Sequence, residues 1–213
     1  MSSVIDVVRH LDKYLVQIVS QYGTQTYAIL AAVVFCETGL VVLPFLPGDS
    51  LLFAAGAVCG MSGSTLNVGM LMAVLTFAAI LGDTLNYHVG KFLGPRVMSN
   101  TSSRWLNPAH LTRTSEFFAR YGGKTIVLAR FVPIVRTFAP FVAGAGAMSY
   151  GKFIMFNIVG AIAWVVSMTM AGFWLGQLDA VKSHFELIVL GIVGVSALPM
   201  VVEYMRAKQS QKA

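Results

Sequence analysis

Charge is what this chain has least of. Only 11% of its 213 residues are charged, while 56% are apolar and the mean hydropathy is +0.73. A soluble domain carries about 25% charged residues. So little charge cannot cover a water-soluble fold of this size, and a soluble globular class is excluded. Cysteine is scarce too. Cys36 and Cys59 fall in apolar segments and read as small core residues, which excludes a disulfide framework. The four histidines (His10, His88, His110 and His184) are scattered without metal-ligand spacing, so neither a metal nor a cofactor is expected. An uninterrupted apolar stretch is missing from the first twenty residues. Asp6, Arg9, Asp12 and Lys13 stand where a cleavable signal peptide needs one. The net charge of +6 suggests nucleic acid at first sight. The basic residues sit instead where a positive-inside membrane protein needs them, so no nucleic-acid partner is expected.

What the chain has is length of apolar run. A bilayer core of about 30 Å takes roughly 20 apolar residues in a helix. Tyr27–Leu46, Val68–Phe92, Phe153–Leu175 and Phe185–Val202 meet or approach that length. The expected fold class is an all-α polytopic membrane protein. Residues 1–26 read as an amphipathic helix, either packed on the protein or lying in the membrane interface. Residues 27–205 form a single membrane domain, and residues 206–213 a basic tail. The stretch 91–124 holds Lys91, Arg96, Arg104, Arg113, Arg120 and Lys124 against Glu116, which marks a cytoplasmic loop. Pro108 followed by 109–121 predicts a short helix inside it. The tail is cytoplasmic by the same rule.

That bias fixes parity. Segment 125–148 must start and finish on the cytoplasmic side, and Pro133, Pro140, Gly144 and Gly146 break it. A re-entrant hairpin fits. Segment 41–61, broken by Pro44, Pro47 and Gly48, predicts a second, entering from the opposite face. The stretch 51–61 reaches only about 16 Å as helix, too short to span. Tyr27–Val42 either spans or forms one arm of this hairpin, which leaves the side of the N-terminus open. Both broken segments start with an apolar residue and Pro, and both end in a Phe-x-Ala-Gly stretch, Phe53–Gly56 and Phe141–Gly144. Together they suggest an inverted pseudo-repeat, an architecture in which transporters bind substrate between broken helices.

Five ionisable residues stand inside these apolar segments: Glu37, Asp49, Asp83, Arg130 and Arg136. Intramembrane charge is costly unless paired or wet, and irregular backbone at that depth lines a cavity or is buried in protein. Asp49 or Ser50 can cap the short helix expected near Leu51, or place a carboxylate at a cavity. The start of that helix would suit a phosphate. Arg130 and Arg136 flank Pro133, which allows them to converge, and arginine is suited to bidentate phosphate binding. The bland alternative for both is ion pairing with Glu37, Asp49 or Asp83. Glu37 is a candidate proton carrier, because burial favours the neutral form of a carboxyl. Asp83 makes a small polar face with Asn86 and Tyr87, for interhelical hydrogen bonding or for the site. Three acids and two arginines leave a net −1, so protonating one acid would neutralise the cluster and a second would leave it positive and ready for an anion.

These motifs resemble a known family. Glu37-Thr-Gly39, Pro44-x-x-Pro-Gly-Asp-Ser-Leu51, Gly82-Asp-x-x-x-Tyr87 with Gly90, and Arg130-Phe-x-Pro-x-x-Arg136 with Pro140 and Ala143-Gly144 are similar to the DedA family of bacterial inner-membrane proteins. The resemblance runs over about residues 21–205. It implies a VTT domain related to eukaryotic lipid scramblases, with two facing re-entrant hairpins. It implies a place in recycling undecaprenyl phosphate or moving phosphatidylethanolamine, linked to the proton motive force. It also implies that Glu37, Asp49, Arg130 and Arg136 are the essential residues.

The function expected is therefore flipping of an anionic lipid phosphate, undecaprenyl phosphate first, across the cytoplasmic membrane with protons. Phosphatidylethanolamine movement and a proton or cation antiporter are the alternatives. A lipid phosphatase would want a histidine beside the arginines, and none adjoins Arg130 or Arg136, so no enzymatic role is expected. The expected partners are an anionic membrane lipid and protons, with room for a homodimer.

Overall fold

The computed structural model describes residues 22–40, 48–61, 64–99 and 108–177, and every regular element among them is helical. In chain order these are α1 (Thr26–Gly39), α2 (Gly48–Gly60), α3 (Val68–Ser99), α4 (Pro108–Tyr121), α5 (Thr125–Ala129), α6 (Pro133–Val142) and α7 (Tyr150–Leu175). Two helices are long and apolar enough to cross a membrane, over Val68–Gly94 and Tyr150–Leu175. At 1.5 Å per residue each reaches about 40 Å, beyond the 30 Å hydrocarbon core. They match two of the runs expected to span. The run from Tyr27 gives a helix only as far as Gly39. Its fourteen residues make about 21 Å, short of a crossing. The run 185–202, the predicted N-terminal amphipathic helix up to residue 21, the basic tail, Pro44 and Pro47 lie outside the described residues.

Local chemistry sets the ends of these helices. Asn67 caps α3, its side-chain oxygen accepting from the Met70 amide at 3.0 Å. The Asn67 amide in turn donates to the Tyr27 hydroxyl at 2.7 Å. Helix α2 begins at Gly48, ahead of the expected start near Leu51. Asp49 and Ser50 therefore stand inside its first turn and not at a cap. Between α5 and α6, Val132 is extended at φ −118° and ψ 105°, as the residue before a proline prefers. Pro133 then opens α6, where its missing N–H costs nothing. Pro140 was expected to break the segment but lies within α6. It removes one N–H, while Val135, Phe138, Ala139, Phe141 and Val142 still bury the helix. Gly144 likewise continues into a π-helical turn, Ala143–Ala147, and the backbone departs from helix at Gly146, φ +131°.

The chain divides into two compact units. In the first (22–28, 48–61, 64–72 and 166–177), α2 packs on the last part of α7. A Cβ at Gly56 would meet the Thr169 carbonyl, and one at Gly172 the Phe53 carbonyl. Gly60 faces Phe173, and Gly176 faces Ala57. Glycines four apart on both helices let the backbones touch. The second unit (29–40, 73–99 and 108–165) uses the same device between α3 and the end of α6. Gly90 faces the Phe141 carbonyl, Gly94 faces Ala145, and Gly144 faces the Tyr87 carbonyl and the Lys91 amide. The Phe-x-Ala-Gly stretch seen twice in the sequence is the contact stripe in each unit.

A second recurrence lies at the helix entries. Tyr22 and Gly23 lead into α1 through a 3₁₀ turn, and Tyr121 and Gly122 lead into α5 through another. The tyrosines have φ −107° and −114°, the glycines φ 52° and 55°, and each turn ends on a buried threonine, Thr26 or Thr125. The core of the second unit gathers Tyr87, Ile126, Val135, Ala139 and Phe153, and α4 lays Phe117 and Phe118 against it. The helix expected inside the basic loop is thus held to the unit by its aromatics.

Glycine substitutions separate close approach from plain helix positions. Gly144→Ala forces a Cβ onto the backbone of α3 and should cost about 1–3 kcal/mol. Gly151→Ala, in open space within α7, should be neutral or stabilise by about 0.5–1 kcal/mol. Thermal unfolding in detergent checks both, and equal melting temperatures would contradict the packing described.

Candidate functional site

Four of the five ionisable residues singled out in the apolar segments fall in the second unit, in two ion pairs. Arg130 follows the last turn of α5, and its Nη2 donates to Asp83 Oδ2 on α3 at 2.6 Å. The same nitrogen donates to Asn157 Oδ1 on α7, also at 2.6 Å. Arg130 is only 4% exposed. Short charge-assisted bonds of this kind offset the cost of burying the cation. Asn157 is tied in turn, its Nδ2 donating to the Ile80 carbonyl at 3.2 Å. Arg130 is therefore held by two neighbouring helices.

Arg136 pairs with the other acid. Its Nη2 lies 3.2 Å from Glu37 Oε1, near the end of α1. Its guanidinium stacks over the ring of Trp164, with Cζ 4.4 Å from the ring centroid. Arg130 approaches the same ring at 5.8 Å. The break at Val132 and Pro133 thus brings two guanidinium groups to one fully buried indole. With Glu37 and Asp83 opposite, this group of four charges is neutral.

A polar tie closes the arrangement. Asn86, fully buried on α3, donates through Nδ2 to the Thr38 carbonyl at 3.2 Å and to the Thr137 carbonyl at 2.9 Å. Thr38 follows Glu37, and Thr137 follows Arg136. One amide so fixes the backbone behind both members of the pair. Gly39 and Gly82 assist, because a Cβ on Gly39 would come within 3.3 Å of Gly82.

The other predicted positions divide differently. Asp49 and Ser50 belong to α2 in the first unit, with Ser50 buried. Tyr87 joins no ion pair among the described residues. Its hydroxyl donates to the Met148 carbonyl at 2.9 Å, and its ring stacks on Phe153 at 4.5 Å. It ties α3 to the start of α7. Of the breakers, Pro133 separates the arginines, while Gly144 packs α6 against α3. Sequence reasoning missed Asn157 and Trp164. A buried amide inside an apolar span was the available signal for Asn157. Nothing in the spacing announces that Trp164 faces the arginines.

The Arg130–Asp83 pair gives a stability test. Arg130→Ala strands a buried carboxylate and should cost about 3–5 kcal/mol. Adding Asp83→Asn should recover part of that loss, as a coupled pair requires. Unfolding of both variants in detergent checks it, and strictly additive losses would contradict the pairing.

Comparison with known proteins places this geometry. Residues 46–173 match the VTT domain family. The chain is 48% identical over 206 residues to the protein named DedA of Escherichia coli (strain K12), covering 97% of this chain and 94% of that one. It is 39% identical over 191 residues to an uncharacterized membrane protein, Rv0364, of Mycobacterium tuberculosis, covering 90% and 84%. It is 33% identical over 154 residues to the inner membrane protein YqjA of E. coli (strain K12), covering 71% and 68%. No solved structure matches. By the extent of these matches, and by two helices long enough to span a bilayer, the chain is a membrane protein of the DedA family with a VTT domain.

Proposed function

We propose that this protein moves an anionic lipid phosphate, undecaprenyl phosphate first among them, across the bacterial cytoplasmic membrane, coupled to protons and without covalent chemistry. The observation that carries this reading is the convergence of two arginines on one indole, with Arg136 Nη2 also 3.2 Å from the Glu37 carboxylate. A guanidinium prefers a phosphate as readily as a carboxylate, and two together suit a phosphate monoester. Arg130 is anchored by Asp83 and Asn157, and Arg136 is the exchangeable cation.

Protons enter through competition. Ionised Glu37 occupies Arg136 and opposes the lipid phosphate. Protonation of Glu37 removes that competitor, so lipid binding strengthens as pH falls. Asp49, in α2, is a second carboxylate for proton traffic. The proposed architecture is the inverted pseudo-repeat, with segments 41–61 and 125–148 as re-entrant hairpins and a cytoplasmic C-terminus. The recurring Tyr-Gly-x-x-Thr turns and the recurring glycine packing support it.

The experiment is reconstitution into liposomes carrying undecaprenyl phosphate, or phosphatidylethanolamine, in one leaflet under a pH gradient. The expected result is faster appearance of undecaprenyl phosphate in the other leaflet than in empty liposomes. Arg136→Ala should abolish this movement, and Glu37→Gln should flatten the pH dependence of lipid binding. Movement of phosphatidylethanolamine alone would reassign the substrate. Release of inorganic phosphate would point to an enzyme, and no acceleration of either lipid would overturn the reading.

A further inference from the structure

The two long helices match each other along their buried faces. Aligned on the shared glycine pairs, Gly90 with Gly94 and Gly172 with Gly176, the buried positions of α3 and α7 coincide except at Asn86, which answers to the half-buried Met168. Leu71, Leu75, Ala78, Ala79, Gly82 and Asp83 correspond to Phe153, Asn157, Gly160, Ala161, Trp164 and Val165, and all are buried. Within this shared pattern, Leu75 answers to Asn157 and Gly82 to Trp164. Gly82 on α3 lets the chain around Thr38 and Gly39 come close. Trp164 on α7 instead fills the space with an indole under two guanidinium groups.

Asn157, Gly160 and Trp164 lie three and four residues apart, on one face of α7. Each meets an arginine. Asn157 Oδ1 accepts from Arg130 Nη2. A Cβ on Gly160 would stand 3.2 Å from Arg130 Cδ and Nε, so the glycine leaves room for that side chain. Arg130 Nε, buried beside it, has no hydrogen-bond partner among the described residues. Trp164 supplies the ring face. A planar cation on an indole keeps its N–H edge directed outward in the ring plane, which leaves those donors to a carboxylate or a phosphate.

We infer that this face of α7 is an arginine-positioning surface, with Trp164 its central residue, setting the orientation in which Arg130 and Arg136 receive a phosphate headgroup. None of its three residues carries charge. The inference rests on the lipid-phosphate reading above, and it assigns Trp164 a positioning role and not a substrate contact. A desolvated cation–π contact corresponds to about tenfold or more in affinity, so its removal should appear in lipid binding before it appears in folding.

The test has two arms, on the full chain. In liposomes with increasing undecaprenyl phosphate, Trp164→Leu should raise the half-saturating mole fraction about tenfold. Trp164→Phe, which keeps a ring face, should stay within about threefold of the parent. Melting temperature in detergent separates this from plain destabilisation. The second arm needs no lipid transport. In a chain carrying Trp105→Phe and Trp174→Phe, Trp164 emission should shift with Arg136→Leu and ignore Arg120→Leu. Unchanged half-saturation in Trp164→Leu, equal losses in the Leu and Phe variants, or emission blind to Arg136→Leu would overturn the inference. A parent that moves no lipid while Trp164 emission reports Arg136 would sink the lipid reading and leave the stacking standing.

Discussion

Two guanidinium groups buried in an apolar helical protein set the terms for everything around them. An unpaired cation at membrane depth costs several kcal/mol, and arginine cannot shed its charge to escape that cost. Each arginine must therefore find a carboxylate and have its remaining surface covered. Asp83 and Asn157 serve Arg130, while Glu37 and Trp164 serve Arg136. The contrast between the pairs carries the functional reading. Arg130 donates at 2.6 Å to both Asp83 and Asn157, while Arg136 lies 3.2 Å from Glu37 and over the Trp164 ring.

Pairing of this kind requires helices that come very close, and glycine makes that approach. Gly39 against Gly82, and Gly90 and Gly94 against the end of α6, draw three helical segments together. Asn86 then spans the gap with one amide to two backbone carbonyls. The same close packing recurs in the first unit between α2 and α7. A chain using one packing rule twice has departed from it at α7, where Asn157 and Trp164 replace core residues. The polar chemistry sits at that departure.

Much of this was readable beforehand. Apolar run length located α3 and α7, and the charges standing in apolar segments named Glu37, Asp83, Arg130 and Arg136. The proline at 133 correctly marked the break between the arginines, because a residue preceding proline cannot stay helical without strain. Pro140 misled, since burial of α6 outweighs one lost hydrogen bond. Asp49 and Ser50 misled at the level of a cap, because the helix starts earlier than its first apolar residue. Pairwise choices were not readable. Composition could not decide which acid takes which arginine, or that Asp83 would meet Arg130 at 2.6 Å. Asn157 and Trp164 lay hidden because their roles depend on which face of α7 meets α5 and α6. That is a tertiary fact with no local signature.

The central claim is that a lipid phosphate takes the place of Glu37 on Arg136. Solid-state NMR of the protein in bilayers, with ¹⁵N-arginine and undecaprenyl phosphate, measures it through ¹⁵N–³¹P dipolar dephasing. The account predicts dephasing of the phosphate signal that strengthens as pH falls and weakens in Arg136→Lys, whose ammonium carries no guanidinium label. Dephasing that persists unchanged in Arg136→Lys, or its absence at every pH, would contradict it.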